Sequence, residues 1–178
     1  MSLVDFTDAI GSPALKRVAI YWRDVRGKRT MPAWTDIKPS AIAGQLSIVW
    51  SYKYDREKDE FIGRLSGDRI VEIFGKNFRG LSLAEIHPPE AVPRIFRLFK
   101  RVVSEPALQE FKGIVFNQLN RVGIGTRVLL PLSADGVTGD GILGVTEYLI
   151  RRADPNAHVE AAPDEERWFS LNSESSRT

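Results

Sequence analysis

Five short segments with the alternation of a β-strand stand in two groups, two before and three after a helical middle. That split constrains the fold more than any other feature of the chain. Residues 46–54 (LSIVWSYKY) set Leu46, Ile48, Trp50 and Tyr52 against Ser47, Val49, Ser51 and Lys53, the two-residue period of a strand. The polar turn 55–59 (DREKD) and the returning segment 60–66 complete a hairpin. Residues 108–116, 126–133 and 141–150 supply the other three strands, the last two joined by the turn signal Ala134-Asp135-Gly136. Strands grouped at both ends around helices imply an antiparallel sheet with helices on one face, an α+β fold.

Helical spacing fills the rest. Ser12-Pro13 suits a helix start, with serine capping free amides and proline at the first position, where its missing N–H costs nothing. Leu15, Val18, Ala19, Trp22 and Val25 then recur on one face until Gly27. This amphipathic helix wants a partner, either its own sheet or a second copy of the chain. Residues 29–45 hold two prolines and a possible helical turn at 40–44. A short helix is expected over 68–74, closed by Gly75, and Ser82-Leu-Ala-Glu85 fits a capping box. The longest helix covers 90–104, with Val92, Ile95, Phe96, Phe99, Val102 and Val103 on one face and Arg94, Arg97, Lys100 and Arg101 on the other. Pro93 must sit in its first turn. Beyond Arg151 the composition shifts to Asp, Pro, Ala, Glu and Ser; Pro163–Glu166 is expected to start a short helix presenting Trp168, Phe169 and Leu171, and the residues after it to be disordered. The divisions are 1–45, an N-terminal helix and connector; 46–152, the central domain; and 153–178, a C-terminal extension.

Composition matters here for what it excludes. In 178 residues, 43% apolar and 27% charged, the net charge is only +2, so neither nucleic acid nor an anionic membrane is an expected partner. The basic face of the long helix is expected to be solvated. With no cysteine, thiolate chemistry and disulfides are ruled out. The opening MSLVDFTDAIG has no secretory pattern, and no apolar run approaches the ~18 residues of a membrane span, so a cytoplasmic location is expected. Gly123-Ile-Gly125 lacks the third glycine of a dinucleotide loop and is read as a flexible link. Two isolated histidines, no HExxH and no GxSxG leave little for a metal site or a hydrolytic triad.

The order of elements, with GKNFRGLSLAEIHPPE at its centre, resembles the PAS domain family, through Gly75, Gly80, Leu83, Glu85 and His87-Pro88. Further pieces are similar to small single-domain PAS proteins of bacteria, mainly alphaproteobacteria: Tyr21-Trp22 with Arg26-Gly27; Met31-Pro32 with Asp36-Ile37 and Pro39; Arg64-Leu65 before Gly67; and Arg127–Pro131 with Asp135-Gly136 and Ile142–Gly144. The resemblance covers roughly residues 15–150. Trp34 departs from the pattern, as does Gly63, which would enlarge a pocket if it faced one. Some PAS domains hold flavin and form a cysteine adduct from a motif similar to Gly75–Arg79; here Phe78 stands at the cysteine position, so that photochemistry is excluded.

The resemblance implies a sensory or regulatory module that binds a small molecule or a protein. Candidate ligand-binding residues are the aromatic and aliphatic set Trp50, Tyr52, Phe61, Leu65, Phe74, Phe78, Phe96, Phe99, Phe111 and Tyr148, with Arg64 or Arg127 anchoring an acidic group; the same set would also make a solid core with both arginines exposed or paired. His87 is read as a helix-capping turn residue in preference to a haem ligand. Leu15, Val18 and Trp22 are candidates for a homodimer interface, because an N-terminal amphipathic helix frequently dimerises PAS proteins; docking on the chain's own sheet would use the same residues. The leading expectation is a sensor for a small apolar or acidic ligand that signals to a partner protein in trans. Alternatives are an α+β-barrel enzyme acting on an apolar substrate with Glu85, Asp68 or Glu147 as base, and a ligand-free dimeric adaptor. The site itself discriminates, since an enzyme needs a buried carboxylate or histidine with a perturbed pKa.

Overall fold

A computed structural model of the chain describes residues 1–118, 121–152 and 164–173. Two helices come first. α1 (Leu3–Asp8) is closed by a Ser2/Asp5 capping box, and α2 (Pro13–Arg26) starts with Ser12 Oγ accepting from the Leu15 amide. A connector with 3-10 turns at Trp34–Asp36 and Pro39–Ile48 leads to the hairpin β1 (Val49–Asp55) and β2 (Glu60–Ser66). Then come α3 (Asp68–Phe74), ended by Gly75 in the left-handed conformation, α4 (Leu83–Ile86) and α5 (Val92–Ser104) with Pro93 in its first turn. The long strands β3 (Ala107–Gln118), β4 (Arg121–Leu132) and β5 (Gly141–Arg152) follow, and β6 (Glu165–Ser170) is the last.

The six strands among the described residues pair antiparallel in the order β2-β1-β5-β4-β3-β6, so the α+β class stands, with one more strand than the five expected. The addition is the segment expected to be a helix. Its Glu-Glu-Arg-Trp-Phe-Ser alternates with period two, and the free edge of β3 offers it a ladder that an isolated helical turn would lack. Lys112 and Glu165 pair across the new edge at 3.2 Å, and Arg167 bridges to Glu110. Of the tail expected to be disordered, Leu171–Ser173 form a 3-10 turn with Leu171 buried, and residues 174–178 lie outside the described residues. Gly123 and Gly125 are not a link between strands: both lie inside β4.

Helices cover both faces of the sheet rather than one. α1 and α2 pack on the first face, where Phe6, Leu15, Val18 and Trp22 meet Leu130, Leu132, Leu143 and Val145. Leu15, Val18 and Trp22 are each 0% exposed, and the Trp22 indole N–H donates to the Pro131 carbonyl at 2.8 Å. The dimer-interface assignment of these three residues is therefore corrected. They are core of the chain's own fold, because the apolar stripe of α2 matches the inward-facing residues of β4 and β5. The second face carries α3, α4 and α5, packed on Trp50, Tyr52, Leu129 and Ile142.

Two glycines make room for close neighbours in the sheet and at its edge. A Cβ on Gly63 would lie 2.0 Å from the Phe78 carbonyl oxygen. Without it, the Gly63 amide donates to Leu81 and its carbonyl accepts from Gly80, stitching the segment after α3 along the outer edge of β2. Gly63 thus does not enlarge a pocket. Gly144 plays a similar part in β5, where the Trp50 ring occupies the space a side chain would need, 2.3 Å from its Cβ position. The departure at Trp34 also has a structural use, since the ring lies under the Arg64 guanidinium at 5.2 Å.

Candidate functional site

Between the second face and its helices lies a cavity of about 480 Å³, within the range of small-molecule sites. Strand pleating decides its floor. On β3, Gln109 and Phe111 point the same way, and cross-strand pairing sets Phe111 beside Arg127 of β4 and Glu166 of β6. Trp50 and Tyr52 extend the floor on β1, tied in by the Trp50 N–H donating to Thr146 Oγ1 at 2.9 Å. The roof comes from Phe74 of α3, Phe78, the His87–Pro88 corner and the inner face of α5.

The rings interlock. Phe78 packs on Phe74 and Tyr52 at centroid distances of 5.0 and 5.6 Å, and Trp50 stacks on Phe99 at 5.6 Å. The Phe74–Phe78 contact is edge-to-face, Tyr52–Phe78 is tilted and Trp50–Phe99 is stacked, and ring pairs of this kind add to the stabilisation from burial. His87 lies in this cage, 5.2 Å from the Phe74 ring, with Nε2 hydrogen-bonded to the Tyr52 hydroxyl at 3.1 Å. Burial, assisted by the charges of Arg127 and Arg94, pushes the imidazole down to about 4, and burial pushes the Tyr52 phenol up. At neutral pH the pair is uncharged.

Arg127 is the charged group on the cavity floor that has no hydrogen-bond partner. Its guanidinium lies 5.3 Å from the Phe111 ring centroid, makes no hydrogen bond to any described residue, and leaves Nε buried without a partner. Burial first, then the repulsion of Arg94, lowers it to about 10, against the weaker attraction of Glu166. Glu166 itself is engaged: one carboxylate oxygen accepts from Gln109 Nε2 at 2.6 Å and from the Trp168 indole at 2.5 Å. The Gln109 side-chain oxygen is buried with no donor.

Of the twelve candidate ligand residues, Trp50, Tyr52, Phe74, Phe78, Phe99, Phe111 and Arg127 line the cavity. The other five stand elsewhere. Phe61 and Phe96 back the wall, with Phe61 5.5 Å from Phe99. Tyr148 lies beyond Phe116 and donates its hydroxyl to the Arg69 carbonyl at 2.5 Å. Leu65 packs into the core under α2, and Arg64 is stacked on Trp34, where burial lowers its pKa. Arg64 is therefore corrected as a ligand anchor. His87 is corrected too: it does not cap the long helix that follows, since the N-cap of α5 is Ala91 with no side-chain cap hydrogen bond, and the imidazole faces the rings. The carboxylates considered as enzymatic bases are not at the cavity. Glu85 is taken up by the Ser82 capping box at 2.8 Å, Glu147 accepts from Ser12 Oγ at 2.6 Å on the opposite face, and Asp68 is exposed on α3.

Sequence reasoning passed over Gln109, Phe116, Glu166 and Arg94. The period of β3 held the signal for Gln109, two residues from Phe111; nothing in the sequence brought Glu166 to the same place, because that required pairing across β3.

A family model described as a PAS domain matches residues 10–147, well over half of the chain. The chain belongs to the PAS domain family. The cavity lies between the PAS sheet and its helices, and β6 stands outside the matched span. No curated protein and no solved structure matches the sequence. As a PAS domain the protein is a sensory or regulatory module. No helix among the described residues is long and apolar enough to cross a membrane.

Proposed function

We propose that this PAS protein is a cytoplasmic sensor that takes a small apolar or acidic ligand into the cavity and passes the change to a partner protein in trans. The observation that carries this reading is the unpaired Arg127 guanidinium set in a ring-lined cavity of about 480 Å³. A core built only for stability fills such a volume, and the half-buried Arg127 guanidinium, with its Nε buried and unpartnered, is a group that an anionic ligand would satisfy. Ligand binding shifts a signalling equilibrium only through its differential affinity for two states, and the helices over the cavity are the elements whose packing it would change.

Native mass spectrometry of the purified protein, with Nile red fluorescence as a probe for an accessible apolar cavity, tests the reading. A stoichiometric small-molecule adduct, or saturable one-to-one dye binding lost on Phe78→Trp, is expected. A clean apo protein that excludes the dye would instead favour the ligand-free adaptor.

A further inference from the structure

We propose that the ligand is an apolar monocarboxylate, an arylalkanoic acid in chemical type, with its carboxylate on the Arg127 guanidinium and its hydrocarbon body among Tyr52, Phe74, Phe78 and Phe99. This rests on the reading that the cavity binds a ligand and specifies what the cavity selects.

Four observations converge. The Arg127 guanidinium makes no hydrogen bond to any described residue, and no described carboxylate lies within ion-pair distance of it. The acidic side chain whose charge acts on it, Glu166, already accepts two hydrogen bonds on one oxygen, from Gln109 and Trp168. A second arginine, Arg94 of α5, faces the same space, and its charge and that of Arg127 both act on His87. Finally, one further polar pair of the lining, Tyr52 and His87, is hydrogen-bonded within itself and neutral, so it adds no charge that would compete for an anion.

The half-buried Arg127 guanidinium, with no anion bonded to it, and the exposed Arg94 that also lines the cavity leave a positive field that a single anion cancels. A carboxylate suits it because the planar fork of arginine matches two carboxylate oxygens, while an aromatic face behind the guanidinium, here Phe111, keeps it in plane. The number of charges is also set. Glu90 and Glu166 both border the cavity, so a second carboxylate on the ligand would meet like charge at the rim. Away from Arg127 the walls are rings and branched aliphatic side chains, which favour an aromatic or branched body.

Isothermal titration of the full chain with 3-phenylpropionate, its neutral isostere 3-phenylpropionamide and the dianion phenylsuccinate tests the assignment, with Nile red as the charge-independent probe. The acid is expected to bind at least tenfold tighter than the amide, about 1.4 kcal/mol, and tighter than the dianion. Arg127→Met should collapse the acid-over-amide preference below threefold while Nile red still binds, and should leave the unliganded melting temperature equal or higher. If that variant does not fold, Arg127→Lys serves: it keeps the charge and loses the fork, so the acid weakens but still outranks the amide. Equal binding of acid and amide overturns the proposal, as does a preference that survives Arg127→Met. Nile red binding without measurable binding of either phenyl compound also overturns it, while leaving a ligand-binding cavity in place. Failure of the dye as well removes the cavity reading and this inference together.

Discussion

His87 makes folding sensitive to pH in a way the structure lets one calculate. In the unfolded chain its imidazole titrates near 6.5; in the folded chain burial, with help from Arg127 and Arg94, brings it to about 4. A group whose native pKa lies below its unfolded value is protonated first in the unfolded chain, so stability is fully present above pH 6.5 and is lost as pH falls toward 4. At about 1.4 kcal/mol per pH unit, the loss between pH 7.5 and 4.5 is roughly 2.5 kcal/mol, or about 2 once partial solvent contact is allowed for. The assay is urea unfolding of wild type and His87→Gln at those two pH values. Carboxylates titrate in both proteins, so the difference between them isolates the imidazole. Wild type should lose about 2 kcal/mol more than the variant on acidification. Equal losses would refute the buried, neutral histidine, and an imidazole NMR titration with a midpoint above 6 would do so independently.

Other outcomes follow from packing. Gly63→Ala should destabilise by about 2–3 kcal/mol in urea unfolding, since its Cβ would fall 2.0 Å from the Phe78 carbonyl oxygen and part β2 from the segment that roofs the cavity. Val18→Asp should leave unfolded or aggregated chain by circular dichroism and light scattering, because residue 18 is core; a folded monomer released from a dimer would restore the interface role. Phe169→Ala should cost about 3–4 kcal/mol, measured by chemical denaturation, as the ring is buried against Phe6 at 5.9 Å. Tyr52→Phe should lower stability by about 1–2 kcal/mol by removing the partner of His87 Nε2, an effect absent in the background of His87→Phe.

Local signals located the PAS sheet, and their limits were local as well. The hairpin turn DREKD, the Ser12-Pro13 helix start, the Gly75 stop and the Ser82/Glu85 box each act within a few residues, and each structure formed where its chemistry placed it. Two features depended on distant partners. The stripe Leu15, Val18, Trp22 shows that α2 must bury a face but not against what; the answer lies in β4 and β5, more than a hundred residues away. Likewise Pro163-Asp-Glu-Glu166 looks like a helix start in isolation, and only the vacant edge of β3 makes its two-residue period decisive. At the cavity, residue type identified the rings, whereas facing decided membership. Arg64 and Arg127 are equivalent as sequence, yet one is stacked outside on Trp34 and the other stands inside beside Phe111.

The position of β6 at the rim of the sheet bears on how the molecule is made. It sends Phe169 into the layer under α1 and brings Trp168 against Arg101 of α5 on the other side, 3.9 Å from ring centroid to guanidinium. Emerging from the ribosome after every other strand, it closes both layers at once. Until then a nascent chain with five strands in register presents the bare border of β3 to its neighbours, so mispairing during crowded synthesis is the hazard that the last strand removes.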